Sequence, residues 1–294
     1  MPTDRWGYFD RGGAPVNVIL RPATVGDRPR LRALWKLAFG DGDDYIDCFF
    51  AACPDPERVL VLEDGGGVQA MTAWFDMPLV STNGGQWPGA YLYAVATHPD
   101  CRGRGYAGNL LAWAGEWLRA KGFACLTTVP ASDSLHRFFA ANGFEEQFAL
   151  TEGEVVPDIA LCPAPIRAVE GAEYGQLREK LLSGTAHAAC GPEGLAYQQA
   201  VCRLSGGGLF AAGTGCACVE RAGDRAVVKE LLAPAEEHAA ILAALAKAIP
   251  ANRWLVRTPC QSGQEGTPFA MVRRLAKRPD QWPHGPAYFG LAFD

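Results

Sequence analysis

The fold prediction rests on the stretch Tyr91-Leu-Tyr-Ala-Val-Ala-Thr-His-Pro-Asp-Cys-Arg-Gly-Arg-Gly-Tyr-Ala107, which combines a strand, a glycine-containing loop and a helix start. Aromatic and β-branched residues up to Thr97 favour a β-strand. Apolar residues recur at helical spacing over residues 106–121, and Gly122 ends that predicted helix. The loop between them aims several backbone N–H groups at one point, and the helix start adds about half a positive charge. The sequence therefore predicts an anion cradle that fits a pyrophosphate.

Two glycines of this loop have a specific structural purpose. A side chain at Gly103 or Gly105 would block the approach of the backbone to a phosphate, or would be disfavoured in the dihedral region that the turn needs.

The elements around the loop define a fold class. Hydrophobic periodicity and turn residues predict, in chain order, a strand at 16–21, a helix at 25–39, a second helix that ends at Pro54, strands at 58–63, 68–80 and 86–97, the helix at 106–121, a strand at 123–129, a helix at 132–141 and a strand from Phe144. This order predicts an α+β (α/β-like) protein with a mixed, mostly antiparallel sheet flanked by helices.

The second half of the chain repeats this order. Residues 151–165 contain three prolines and are predicted as a linker between a first domain at 1–150 and a second at 166–294. Beyond the linker, the pattern predicts strands at 166–169, near Leu209, Ala217 and Val227, and at 254–258, 269–275 and 288–293, with helices at 172–182, 193–204 and 234–249. The strand before Pro234 leads into its helix without a glycine loop, so no phosphate site is expected there. The second half is expected to pack against the first and to wall an acceptor cleft, with Glu230 or residues 288–294 as candidate contributors.

The loop resembles the acetyl-CoA loop of the GCN5-related N-acetyltransferase (GNAT) superfamily, Arg/Gln-x-x-Gly-x-Gly/Ala. Arg102, Gly105 and Ala107 occupy its defining positions, and Pro99 precedes them at the usual spacing. Asn142-Gly143-Phe144 is similar to the superfamily's Gly-Phe signature. The resemblance covers roughly residues 16–150 and implies the acyl-CoA N-acyltransferase fold, in two tandem copies of which the second is degenerate.

The resemblance also implies a cosubstrate and a reaction. Acetyl-CoA is expected to bind in a gap where the sheet splays between the strand ending at Thr97 and the strand at 123–129. The implied binding residues are Val95, Thr97, Arg102, Gly103, Arg104, Gly105, Tyr106 and Ala107. The acetyl group would pass directly to the amine of a small molecule or peptide, without an acetyl-enzyme, because no His/Asp pair is placed by sequence to activate Cys101.

Proton transfer is assigned less completely. Alternation predicts that Tyr91, Tyr93, Val95 and Thr97 share one strand face. Tyr91 and Tyr93 stand where some superfamily members carry proton-relay residues, and are the candidate catalytic residues, with relay through water favoured over direct base action. Ordinary packing of these two rings is an equal alternative.

A departure from the superfamily pattern leaves a second function open. Phe139 stands where many members carry a tyrosine general acid. Either Tyr93 or a water stabilises the leaving thiolate, or the protein is a catalytically impaired acyl-CoA-binding or sensor protein.

The roles of several polar residues have two interpretations each. The acidic residues Asp41, Asp43, Asp44 and Asp47 either attract an amine or form a solvated turn. Asp76 faces either an acceptor or solvent. His98 and His136 are expected to be surface or packing residues rather than bases.

Composition limits the remaining possibilities. The chain has 294 residues, 49% of them hydrophobic and 20% charged, with a net charge of -5, which suits a compact protein with a cationic small substrate and not a nucleic-acid partner. The ten cysteines show no CxxC pair and no zinc spacing, so free thiols and no metal are expected. Without a long apolar span or signal peptide, a cytoplasmic location and no membrane partner are expected. The sequence leaves the oligomeric state open.

Overall fold

The computed structural model describes residues 4–9, 15–260, 266–276, 282–283 and 285–293. In the first half, the elements are β1 (Asp4–Phe9), β2 (Pro15–Pro22), α1 (Arg28–Phe39), α2 (Asp43–Ala52), β3 (Val59–Asp64), β4 (Gly67–Asp76), β5 (Leu79–Val80), β6 (Gln86–Trp87), β7 (Gly89–Thr97), α3 (Tyr106–Ala120), β8 (Cys125–Thr128), α4 (Asp133–Ala141) and β9 (Glu145–Val155). The second half has β10 (Ile166–Ala168), α5 (Gly171–Leu181), β11 (His187–Ala188), α6 (Pro192–Ser205), β12 (Gly208–Ala212), β13 (Gly215–Ala222), β14 (Arg225–Leu232), α7 (His238–Ala248), β15 (Arg253–Thr258) and β16 (Thr267–Arg274).

One mixed sheet runs through both halves. Its thirteen strands follow the order β1-β2-β3-β4-β7-β8-β16-β9-β15-β14-β13-β12-β10. The pairs β7 with β8 and β14 with β15 are parallel, and the other neighbouring pairs are antiparallel. The predicted fold class, a mixed and mostly antiparallel sheet flanked by helices, is confirmed.

The two halves exchange strands at the middle of this sheet. Strand β16, from the end of the chain, lies between β8 and β9 and pairs with both. Strand β9 continues past β16 and pairs with β15 through residues 151–155. The first five residues of the predicted linker therefore belong to a strand. Strand β16 of the second half fills the gap between β8 and β9 in the sheet of the first half.

Helices cover both faces of the first half. Leu31, Leu34 and Trp35 of α1 are buried on one face, together with residues of α2. On the other face, α3 buries Leu110 and Leu111 with four further side chains. Each such aliphatic or aromatic side chain contributes about 1.5–3 kcal/mol on burial, so α3 is held firmly and its first turn is a fixed point of the site.

The observed strands differ from the predicted ones at two prolines. The run predicted at 68–80 breaks at Pro78, and the run at 86–97 breaks at Pro88, since proline lacks the N–H that a ladder requires. The strand predicted at 288–293 was wrong: within the described part of that segment only Tyr288 makes an isolated bridge, to His187. Strand β1 was not anticipated.

In the part of the chain that the structure describes, no helix has the length and apolar character needed to span a membrane.

Candidate active site

The sheet opens between β7 and β8. These parallel strands pair only from Gly89 to Tyr91, opposite Cys125 to Thr127. Where pairing stops, the Thr128 hydroxyl donates to the Leu92 carbonyl at 3.2 Å. Beyond this point β7 continues to Thr97 while β8 has ended, which leaves a groove of about 710 Å³. The splay predicted at this place in the sheet is present.

A β-bulge reshapes the open edge of β7. The register with β4 changes from Ala73 opposite Tyr93 to Met71 opposite Ala96, so β7 carries one extra residue. Ala94 has a φ of 50° and is the one non-glycine residue with positive φ in the described chain. Left-handed geometry costs an alanine roughly 1–2 kcal/mol, and bulges and strain of this kind concentrate at functional sites.

The bulge also corrects a prediction about side-chain direction. Tyr91 and Tyr93 pack on the face covered by α1 and α2, whereas Val95 packs on the face covered by α3. The expected common face for Tyr91, Tyr93, Val95 and Thr97 was therefore wrong, because the extra residue reverses the alternation.

The glycine loop has the backbone geometry that the sequence predicted. Gly103 and Gly105 have φ values of 77° and 80°, a region that side-chain-bearing residues rarely adopt. A Cβ added at Gly103 would meet no atom within 4 Å, so the space above this residue is open. Helix α3 begins at the next residue after Gly105, and its unpaired first N–H groups lie at the loop.

The other predicted cofactor residues divide into two groups. Val95, Thr97, Arg102 and Ala107 line the groove. The Arg102 Nε donates to the Thr97 carbonyl at 3.4 Å, and the buried Thr97 Oγ1 has no hydrogen-bond partner in the described structure.

Arg104 and Tyr106 do not line the groove. The Arg104 side chain is exposed, next to the two glycines. Tyr106 is buried, and its hydroxyl donates to Asp64 at 3.0 Å. Tyr106 thus holds the loop by packing, and what it can offer a ligand is its backbone N–H.

Three tyrosine hydroxyls meet at the side of the groove formed by α2. The Tyr93 hydroxyl lies 3.0 Å from that of Tyr45 and 3.1 Å from that of Tyr197. Tyr45 comes from α2, Tyr93 from β7 and Tyr197 from α6 in the second half. Burial raises the pKa of all three phenols, which keeps them neutral and able to donate hydrogen bonds. We call these three residues the tyrosine cluster.

Sequence reasoning missed Tyr45 and Tyr197. Tyr45 sits among apolar residues of α2, which indicates packing, and Tyr197 lies in a helix with no motif. No local signal could have joined three residues that are 48 and 104 positions apart.

Aromatic rings surround the tyrosine cluster. Phe293 lines the groove and lies 5.5 Å from Tyr93 and 4.9 Å from Tyr197, measured between ring centroids. Tyr91 also lines the groove, and its ring packs 5.2 Å from Phe289. Of the contributors expected from the second half, the terminal segment therefore reaches the groove.

Glu230 has another role. It is fully buried, accepts from Arg178 Nε at 3.0 and 3.1 Å and from the Tyr174 hydroxyl at 2.9 Å, and does not line the groove.

Phe139 borders the groove without a polar atom. It is 4% exposed and packs against Phe144 at a ring distance of 5.3 Å. Position 139, where the resemblance to the GNAT superfamily implies a hydroxyl, is therefore apolar in this protein.

His98, His136 and Cys101 lie outside the groove lining. His136 is hydrogen bonded to Glu146 at 2.7 Å, and His98 lies 3.8 Å from Asp100. Burial raises the pKa of the Cys101 thiol, which disfavours the thiolate that a nucleophile needs.

The acidic residues of this region have different surroundings. Asp43 pairs with Arg32 and Lys36, and Asp47 pairs with Arg32 on the surface. Asp41, by contrast, lines the groove and accepts a hydrogen bond from the Trp35 indole at 2.8 Å.

Asp76 pairs with Arg58 at 2.6 Å and does not line the groove. Arg58 also pairs with Glu193 of α6, so this cluster joins the two halves.

A known protein family and several solved structures are similar to this chain. The family model of the acetyltransferase (GNAT) domain matches residues 20–145. A GCN5-related N-acetyltransferase structure from Kribbella flavida is 17% identical, covers 88% of this chain and 71% of that chain, and has a TM-score of 0.66. One from Anabaena variabilis is 13% identical, covers 88% and 73%, and has a TM-score of 0.67. A probable N-acyltransferase from Enterococcus faecalis is 14% identical, covers 88% and 73%, and has a TM-score of 0.65. No curated protein matches the chain.

The domain match and the shared fold confirm the resemblance to the GNAT superfamily. Residues 20–145 match the model of the acetyltransferase (GNAT) domain, and the fold similarity, which covers 88% of the chain, extends beyond them into the second half.

Proposed function

We propose that the protein is an N-acetyltransferase that moves an acetyl group from acetyl-CoA directly to the amine of a small molecule or peptide. The observation that carries this proposal is one continuous groove. It runs from Arg102 and Ala107 at the glycine loop, along the open edge of β7, to the tyrosine cluster. Thr97 and Tyr93 oppose Ala70 and Ala73, so despite the extra residue they are three ladder positions apart, or about 10 Å of strand, which separates a diphosphate site from a reaction site.

Two neighbouring parts of the groove would bind two parts of acetyl-CoA, its diphosphate and its pantetheine. Backbone N–H groups of residues 102–107 and the start of α3 would bind the diphosphate, with Arg102 and Arg104 adding charge. The unpaired edge of β7 at Val95 and Thr97 would pair with pantetheine as a neighbouring strand does. The partnerless hydroxyl of Thr97 supports this reading, since a buried polar atom without a partner is costly.

The chemistry follows from the groups at the other end. The nitrogen of a neutral amine attacks the thioester carbonyl, a C–N bond forms, and a backbone N–H of β7 stabilises the oxyanion. The C–S bond then breaks, and the thiolate needs a proton or a hydrogen-bond donor. Tyr93 supplies that donor because its hydroxyl stays neutral, whereas Phe139 has none. Tyr91, on the same face, is proposed to hold the water that takes the proton from the amine.

The second half is proposed to be a degenerate copy that spans residues 166–294 beside a first domain at 1–150. In support, β14 also pairs in parallel with its neighbour and then extends beyond it. Only Ala233 and Pro234 separate β14 from the following helical turn, which leaves no room for a glycine loop.

A second function has one observation in its favour. The apolar Phe139 at the groove is what an acyl-CoA-binding or sensor protein without turnover would carry. Calorimetric titration with acetyl-CoA, combined with a thiol assay for released CoA over a panel of amines, separates the two functions. Amine-dependent CoA release supports the transferase. Tight binding without release for any amine supports the sensor, and no binding rejects both.

A further inference from the structure

The groove has a distinct acceptor end, formed by the segment between α1 and α2. Phe39, Asp41 and Tyr45 line it from α1, α2 and the loop between them, Tyr93 lines it from β7, and Phe293 lines it from the terminal segment. Four of these five residues are aromatic. The surface that an acceptor would meet is therefore apolar apart from one carboxylate and the phenol hydroxyls.

The two ends of the groove also carry opposite charges. Among the described residues that line it, Asp41 is the one carboxylate and Arg102 the one cation, and Arg102 belongs to the glycine loop at the opposite end. A diphosphate and an ammonium group would thus find opposite charges at opposite ends.

Asp41 is held in a fixed orientation. Its Oδ2 accepts from Trp35 Nε1 at 2.8 Å, and Trp35 is fully buried. The Trp35 ring lies 5.5 Å from the Tyr93 ring, which links this carboxylate to the tyrosine cluster through one rigid side chain. A preorganised carboxylate binds a cation with little loss of side-chain entropy.

The charge of Asp41 is not compensated as that of its neighbours is. Asp43 and Asp47 are paired with Arg32, and Asp43 also with Lys36. Asp41 makes no ion pair in the described structure, and a neutral indole as its donor leaves its negative charge available at the groove.

From this arrangement, and resting on the proposed function, we infer the class of the acceptor: a singly charged primary amine with an apolar or aromatic body and no carboxylate. Asp41 binds the amine as its ammonium ion on entry, and that nitrogen gives its proton to the water proposed at Tyr91 before it attacks the thioester. The rings of Phe39, Tyr45 and Phe293 cover the body of the amine and the face of the incoming cation. An amino acid would bring its own carboxylate beside Asp41. A polyamine would leave further charges against the apolar wall, which is costly without partners.

The test uses three commercial amines with the wild-type chain. We expect acetylation of 2-phenylethylamine with a KM at least about tenfold below those of L-phenylalanine and spermidine, because a carboxylate beside Asp41 or an unpaired charge against the apolar wall costs at least roughly that factor. Preference for either of the other two amines would overturn the inference.

Asp41→Asn provides the residue-level test, with Asp44→Asn as the matched control. Asparagine keeps the acceptor for Trp35 and removes the charge, whereas Asp44 is exposed on α2 and does not line the groove. We expect Asp41→Asn to raise the KM for 2-phenylethylamine about tenfold or more, with an unchanged melting temperature and an unchanged Kd for acetyl-CoA. Asp44→Asn should change neither constant, and an equal KM in both variants would contradict the role of Asp41.

A failure of turnover is distinguishable from a failure of this site. If the wild-type protein acetylates no amine, the proposed function fails, and calorimetric binding of 2-phenylethylamine then decides the inference. Binding that weakens in Asp41→Asn and not in Asp44→Asn supports the ammonium site. Absence of binding, or equal binding by all three proteins, overturns it.

Discussion

The Tyr93 hydroxyl lies 3.1 Å from the Tyr197 hydroxyl, so a side chain of the second half stands directly behind the groove of the first. Tyr93 reaches the groove from β7, while Tyr197 is fully buried on α6. In the proposed reaction Tyr197 does not touch the substrate. It is a positioning residue that fixes where the Tyr93 hydroxyl points.

Tyr197→Phe tests this relationship. Removal of the hydroxyl takes one hydrogen-bond partner from Tyr93, and we expect kcat to fall about tenfold while the Kd of acetyl-CoA stays constant. Rapid-mixing kinetics with saturating amine measures kcat. Tyr174→Phe is the matched control, because Tyr174 is equally buried but donates to Glu230 away from the groove. Equal kcat values in the two variants would remove Tyr197 from the mechanism.

Phe139→Tyr tests whether a hydroxyl at position 139 would assist the leaving thiolate. The ring borders the groove at the position where the superfamily resemblance implies a hydroxyl, and a tyrosine would restore a donor for the leaving thiolate. We expect turnover to be preserved or increased by up to about tenfold. Steady-state kinetics at saturating acetyl-CoA provides the measurement. A large loss of kcat with unchanged acetyl-CoA affinity would contradict this expectation, because a hydroxyl at position 139 would then not serve the leaving thiolate.

The position of β16, which comes from the second half and lies between β8 and β9, predicts that the first half needs the second half to fold. Without β16, the facing edges of β8 and β9 lose their common partner. A protein truncated after residue 165 should therefore be aggregated or unfolded by size-exclusion chromatography and circular dichroism.

A milder variant keeps this prediction testable in the full chain. Met271 of β16 is 1% exposed and pairs with Thr128, so Met271→Ala should lower the free energy of unfolding by about 2–5 kcal/mol. A folded, monomeric 1–165 fragment that is stabilised by acetyl-CoA would contradict the interdependence of the halves.

The dependence of stability on pH follows from a buried thiol. Burial raises the pKa of Cys125 to about 12, while the unfolded chain has a thiol pKa of about 8.5. Above pH 8.5 the unfolded state loses its proton first, so the free energy of unfolding falls as pH rises towards 12. Urea unfolding between pH 8 and pH 11 measures the slope. Cys125→Ala should reduce that slope, and Cys162→Ala, at an exposed position, should leave it unchanged; the reverse order would show that Cys125 is not the group responsible.

Local features of the site were predictable from the sequence, and non-local ones were not. The loop at Gly103 and Gly105 was predicted because glycines between a strand and a helix have few other uses. The strained Ala94 was not, since alanine gives no signal for positive φ and only pairing with β4 shows the extra residue. The position of β16 depends on pairing between segments more than 110 residues apart, which no local pattern encodes.

The claim on which the account depends is that backbone N–H groups of the glycine loop bind the diphosphate of acetyl-CoA. Gly103 and Gly122 both have positive φ and open space for a side chain, but Gly103 lies in the loop and Gly122 follows the opposite end of α3. The comparison of Gly103→Glu with Gly122→Glu therefore separates a local charge effect from general strain. Calorimetric titration with acetyl-CoA should show a Kd raised at least about 100-fold in Gly103→Glu and nearly unchanged in Gly122→Glu. Equal, wild-type affinity in both variants would contradict the assignment of the loop.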